Sequence, residues 1–373
     1  MAVSLRMLLR ILLAALIVVS LAILWYYTFQ VPFCDNASLM VDFSGADISA
    51  YQRDAALAFF SSINSSEHQN CRFYRERFPI KRDRDGDMDV AVTIAVENDV
   101  RPVARILRMV HRTNNYYCIH LNRNADPLLQ EAMQGLLVCF DGNVELVPKN
   151  SSIAVTSTGV GVLKAHLACA EQALNHNTKW KYLINIDDDE FPLRTNLEIV
   201  AILQALNGSN LVEAFSTEGN NSLPLDAVWY NGALHGAYRR EFLEEALLGQ
   251  FVAPPRQYLF NNQALMNPEQ VFFPTLAYNA KLNLSGACQT ATSPDSEVNL
   301  SFLAELRIRD KYGVRCTTKY VDHVCLLGDE HLQMIKAVSH LFASKFQADL
   351  SQRPTQTSSS GIFIELTCTK QHI

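Results

Sequence analysis

Between residues 90 and 206 the apolar positions change period in a regular way. Val90–Val96 (VAVTIAV) is a continuous apolar run bounded by charge, the pattern of a strand buried on both faces. Arg101–His111 then spaces Val103, Ile106, Leu107 and Val110 as one face of a helix. Tyr116–Leu121 predicts a second strand, and Pro127–Leu137 a second helix with proline near its start. Val144–Val147 predicts a short strand, and Leu163–Leu174 a helix with Ala, Leu and Cys on one face. Tyr182–Ile186 (YLINI) is another buried strand, and a helix follows around Leu197–Leu206. This alternation implies an α/β fold with a mainly parallel sheet covered by helices on both faces. Such sheets bind ligands at the carboxyl ends of their strands, where the acidic cluster after Ile186 sits. Turn residues and sequons dominate 207–224 and 280–299, where no element is assigned.

Upstream, Ile11–Phe29 holds 19 residues without a charge, enough for a helix to cross the ~30 Å hydrocarbon core. Arg6 and Arg10 precede it and Trp25, Tyr26 and Tyr27 close it, so it reads as a signal anchor with a cytoplasmic N-terminus. A cleaved signal peptide is the alternative, and either reading exports the rest of the chain. Seven N-x-S/T sequons, at Asn36, Asn64, Asn150, Asn207, Asn220, Asn283 and Asn299, all lie downstream. So do all nine cysteines, none in C-x-x-C spacing, which favours disulfides over a zinc ribbon. The expected organisation is a tail (1–10), an anchor (11–29), a polar stem (30–86), one folded domain (87–350) and a C-terminal tail (351–373). The whole chain of 373 residues is 49% hydrophobic with a net charge of −6. That excludes a disordered polyelectrolyte and argues against a nucleic-acid binder.

Three places carry candidate chemistry. Asp187-Asp188-Asp189-Glu190 crowds four carboxylates at a strand end. Asp187 and Asp189 can hold a divalent cation that bridges a diphosphate; equally, the run is a solvated acidic turn capping the next helix. Glu269, in Asn267-Pro268-Glu269-Gln270 before an apolar run, is a candidate general base or a helix cap. Lys345, among apolar neighbours in His340–Phe346, can neutralise a diphosphate or snorkel at the surface. A Cys316–Cys325 link would present Lys319 and His323 on a rigid hairpin.

Four segments together resemble the core-2/I-branching family of β-1,6-N-acetylglucosaminyltransferases, over about residues 77–346. Asn115-Tyr116-Tyr117-Cys118-Ile119-His120 is similar to the family's N-x-Y-C-I-H strand. Trp180–Asn185 followed by Phe191–Asn196 resembles W-K-Y-L-I-N…D-F-P-L-K-T-N. Asn267–Gln270 falls where the family has S-P-D-E. Val324-Cys325, Gly328-Asp329 and His340–Phe346 resemble V-C-x-x-G-x-G-D…H-L-F-A-N-K-F.

The resemblance implies a GT-A (Rossmann-like) glycosyltransferase domain in a single-pass type II Golgi membrane glycoprotein. It implies inverting transfer of N-acetylglucosamine from a UDP-sugar donor to a hydroxyl of a glycan or glycoprotein acceptor. It also implies that no metal is required, because basic side chains offset the diphosphate; manganese enters only if Asp187 and Asp189 form a metal site. Donor contacts are expected at Val96, Glu97, Asn122, His323 and Lys345, and an acceptor contact at Glu213. The implied disulfides are Cys71–Cys139, Cys118–Cys169 and Cys316–Cys325, with Cys34 and Cys368 as a candidate fourth pair and Cys288 left over.

The departures fall at functional places. The family's catalytic Glu is Gln270, which cannot act as a base, so Glu269 is the expected catalytic residue. The family's Arg before the second Cys of the C-terminal pair is Asp322, its H-x-D aspartate is Asn122, and its C-G-Q-D has become Asp187–Glu190. Basic residues expected after Glu213 are Asn221 and Pro224. These changes keep two alternatives open, a metal-dependent transferase with another UDP-sugar and a catalytically silent, glycan-binding member.

Overall fold

A computed structural model describes residues 48–77, 88–140, 142–155, 159–176, 179–216, 227–261, 267–287, 302–310 and 315–346. The chain divides into two units, Met1–Ala46 and Asp47–Ile373, and every described residue belongs to the second. The expected anchor Ile11–Phe29, together with Cys34, Cys288 and Cys368, lies outside the described residues. Among the described residues no helix is long and apolar enough to cross a membrane.

The main sheet has five strands: β1 (Val90–Val96), β2 (Tyr116–Leu121), β3 (Val144–Leu146), β4 (Tyr182–Asp187) and β8 (Gly236–Arg239). Their order is β3-β2-β1-β4-β8. All neighbours are parallel except β4 and β8, which pair antiparallel from Tyr182↔Arg239 to Asn185↔Gly236. The period-2 pleat sends Val92, Ile94 and Ile184 into one core and Ala91, Tyr116, Cys118 and Leu183 into the other.

The helices α3 (Val100–Val110) and α4 (Pro127–Val138) cover the first face. Helices α5 (Val160–Asn175) and α7 (Arg240–Leu248) cover the second. Asp99 and Asp126 cap α3 and α4 by accepting from Arg101 and Leu128 N–H groups. All strands and helices expected between residues 90 and 206 are present, with ends moved by a few residues. The last of them, α6 (Asn196–Ala205), opens with a capping box between Thr195 and Glu198. The chain leaves β3 at one edge and re-enters beside β1 as β4, so the connections reverse direction between β1 and β4. The carboxyl ends of these two strands therefore frame the crevice that parallel sheets use for ligands.

Two features were not legible beforehand. The expected stem contains helices α1 (Ile48–Ser61) and α2 (Gln69–Arg77), and Leu57, Phe60, Ile63 and Tyr74 are buried in the first core. Cys71–Cys139 fastens α2 to the end of α4, and Tyr74 donates to the Ala104 carbonyl at 2.7 Å. The packed unit thus begins well before residue 87. A smaller sheet, β5-β12-β9, joins β5 (Phe191–Pro192), β12 (Phe342–Ser344) and β9 (Glu305–Arg307). It sets the C-terminal segment directly against the acidic loop. Cys118–Cys169 ties β2 to α5, and Cys316–Cys325 closes the hairpin of β10 (Tyr320–Val321) and β11 (Val324–Cys325).

Candidate active site

The end of β4 and the loop after it are held by contacts to four other segments. The Asp188 carboxylate accepts the Glu97 backbone N–H at 3.0 Å, bridging the ends of β1 and β4. Asp187 lies 3.2 Å from His166 Nε2 on α5 and 3.1 Å from His235 Nε2 just before β8. His235 Nδ1 faces Glu190 at 3.3 Å and Glu305 at 3.5 Å, and Arg307 holds Glu305 at 2.6 Å. The Asp189 carbonyl accepts from Phe346 N–H at 2.7 Å, which locks the loop to the residue after Lys345.

This buried cluster is balanced by its cations. Burial alone would raise the Asp187 carboxyl, yet His235 and His166 hold it well below the usual range. Burial likewise opposes a charged His235, but Glu190, Asp187 and Glu305 outweigh it and raise the imidazole well above its usual range. Glu305 stays ionised, at about 2, because Arg307 and His235 overcome its burial. Burial pushes the Asp189 carboxyl up to about 6, helped by its neighbour Asp187. Burial also pushes Asp188 and Glu190 up.

The expected donor contacts gather at the same end of the sheet. Val96 is the buried last residue of β1, followed by Glu97. Asn122, after β2, donates to the Val155 carbonyl at 2.8 Å and accepts from Asn124 N–H, so it pins the neighbouring loop. Asp322 and His323 form the two-residue turn between β10 and β11, both with positive φ (50° and 63°), as a tight hairpin of this twist demands. His323 Nδ1 lies 2.7 Å from Asp310, and Lys345 Nζ lies 3.3 Å from Asp322, at the position where the family pattern has arginine. The two expected diphosphate partners each carry a carboxylate neighbour.

Glu269 and Glu213 come from a separate part of the fold and meet through one glycine. Glu269 sits in a 3-10 turn, Pro268–Gln270, that packs on α5; it is 7% exposed. Its Oε2 has no hydrogen-bond partner among the described residues. Gly232, after β7 (Tyr230–Asn231), donates to the Gln270 carbonyl at 2.8 Å. A Cβ on the same glycine would lie 2.0 Å from the Glu213 carbonyl oxygen. The two candidate carboxylate segments are thus drawn together by a close approach that only glycine permits.

The sequence matches the core-2/I-branching enzyme family over residues 90–336. The chain belongs to that family. A human N-acetyllactosaminide beta-1,6-N-acetylglucosaminyl-transferase is 27% identical over 291 residues, 69% of this chain and 68% of that protein. A bovine beta-1,3-galactosyl-O-glycosyl-glycoprotein beta-1,6-N-acetylglucosaminyltransferase is 25% identical over 301 residues, 73% of this chain and 69% of that protein. Among solved structures, the mannosyltransferase Ktr4p from S. cerevisiae overlays 61% of this chain and 83% of its own at 8% identity and a TM-score of 0.30.

Sequence reasoning about this core-2/I-branching enzyme missed His166, His235, Glu305 and Arg307. They lie on separate segments, and none forms a motif with its partners. One signal was readable. Leu163, His166, Leu167 and Ala170 share the buried face of α5, so an imidazole among core positions calls for a polar partner.

Proposed function

We propose that this core-2/I-branching enzyme is a GT-A-type inverting transferase that moves N-acetylglucosamine from UDP-N-acetylglucosamine to a glycan hydroxyl. The observation that carries the reading is Glu269, a carboxylate oxygen buried without a partner among the described residues, beside the Glu213 segment. A general base needs such a position, dry enough to bind a hydroxyl proton and unencumbered by other donors. Glu269 accepts the proton of the acceptor hydroxyl as its oxygen attacks the anomeric carbon. The bond from that carbon to the diphosphate breaks on the opposite face, and UDP leaves with the electron pair. Glu213 orients the acceptor; Val96, Glu97 and Asn122 border the donor, and Lys345 and His323 offset the diphosphate charge. The apolar run 11–29 anchors the enzyme as a type II protein with this domain in the Golgi lumen.

The test is Glu269→Gln in the full chain. UDP-N-acetylglucosamine binding should stay within about twofold by calorimetry, while transfer falls at least about a hundredfold, the share a general base supplies. Unchanged turnover removes Glu269 from the mechanism. A silent glycan-binding protein is the second reading, supported by the Asp322–Lys345 pair that occupies a diphosphate partner. UDP release from any UDP-sugar by the wild-type chain would exclude it.

A further inference from the structure

His166 and His235 approach one carboxylate from different elements, each by Nε2. Their other ring nitrogens are engaged on the far side. His166 Nδ1 lies 3.3 Å from the Thr93 hydroxyl, and His235 Nδ1 faces Glu190 and Glu305, with an Arg307 nitrogen at 3.5 Å. This is the arrangement of metal-ligating histidines, whose second nitrogen is held by a carboxylate or another acceptor. His235 Nε2 is 3.1 Å from Asp187 Oδ2, yet it lacks the alignment of a hydrogen bond and has no other partner among the described residues.

The spacing has a simple meaning. Two donors each about 2.0–2.1 Å from a tetrahedral zinc ion stand about 3.3 Å apart. The two imidazole–carboxylate separations are 3.2 and 3.1 Å, and all three donor atoms lie within 4.8 Å of one another. Both histidines are buried, and Asp187 keeps 31% of its side chain exposed, which leaves an approach from one side. Among the described residues, no cluster of this kind includes Asp189.

We infer that His166, His235 and Asp187 form a site for one divalent transition cation of the zinc class, with its fourth position facing the crevice at the end of β4. Two imidazoles with one carboxylate suit zinc or cobalt better than magnesium or calcium. The site stands on its own geometry and does not depend on the transfer reaction.

The experiment uses the full-length, tag-free chain purified in detergent, treated with chelator and titrated with Zn2+, then with Co2+ as a spectroscopic probe. One equivalent of zinc should survive dialysis and raise the melting temperature, and bound Co2+ should show the visible bands of a low-coordinate nitrogen–oxygen site. His166→Gln and His235→Gln should each lose the retained metal and the bands. Glu190→Gln, which keeps all three ligands, should weaken binding by about 10–100-fold. His323→Gln, altering an exposed histidine paired with Asp310, should leave zinc retention and the Co2+ bands as in the wild type. A wild-type chain that retains no zinc overturns the site whatever the variants do. So does retention unaffected by both glutamine variants, or retention lost only in His323→Gln.

Discussion

Gly232→Ala is the sharpest perturbation this fold offers, because one added methyl group would meet backbone. The new Cβ would sit 2.0 Å from the Glu213 carbonyl oxygen, 2.7 Å from its carbon and 3.0 Å from Pro274 Cγ. Real Cβ atoms almost never come closer than 3.0 Å, so the Gly232 and Glu213 segments must separate by at least 1.0 Å. The same residue donates to the Gln270 carbonyl, so the movement passes to the turn that carries Glu269. Overpacking of this kind costs about 1–3 kcal/mol of stability. A misplacement of about 1 Å at reacting groups costs on the order of a hundredfold in rate. Denaturant midpoints would read the first and kcat/KM for N-acetylglucosamine transfer the second. Gly142→Ala is the contrast: its φ of 84° strains alanine, but nothing lies within 4 Å of the new atom. That variant should lose stability and keep its rate. Gly232→Ala with wild-type kcat/KM would refute the coupling between Glu213 and the Glu269 turn.

Three further outcomes follow from the same structure. Asp322→Ala should free Lys345 and tighten UDP binding severalfold by calorimetry; unchanged or weaker binding would show that the pair does not compete with the diphosphate. Burial holds His120 neutral, at about 4, while its Nε2 accepts the Ile153 N–H. Its native pKa lies below the unfolded value, so its contribution is complete above about pH 6.5 and fades as pH falls toward 4; at about 2.5 units this is ~3 kcal/mol. Chemical unfolding of His120→Gln across that range should lack this part of the slope, and an identical slope would refute it. Replacing both Cys118 and Cys169 by Ala opens a loop with a sequence separation of 51, worth about 4 kcal/mol on the chain-entropy view. A melting curve indistinguishable from wild type would contradict that.

The sheet was legible because its strands are buried on both faces, as VAVTIAV and YLINI announce, and because α3 carries a clean apolar stripe and α5 one broken only by His166. Glu269 stood out in the sequence as a carboxylate before an apolar run and Lys345 as a charge among apolar neighbours; the first is buried and the second keeps 31% of its side chain exposed. Helices α1 and α2 were hidden by composition. QNCRFYRER buries only a few residues, among them Cys71 and Tyr74, and its polar remainder reads as linker. The histidine cluster was hidden for a different reason. His166, Asp187, His235 and Glu305 are brought together by a helix, two strand ends and the smaller sheet, and no local pattern records such a meeting. Asp322 was noticed as a lost cation, but its contact with Lys345 required the hairpin and β12 to be side by side.

The smaller sheet also sets an order of completion. Its middle strand, β12, is the last among the described residues, and its neighbours β5 and β9 are joined to each other only through it. A nascent polypeptide emerging N-terminus first can assemble all five strands of the large sheet while the aspartate loop still lacks its bond from Phe346. The smaller sheet forms only when residues 342–344 enter between two strands already synthesised, so a premature stop before Phe342 leaves β5 and β9 unjoined.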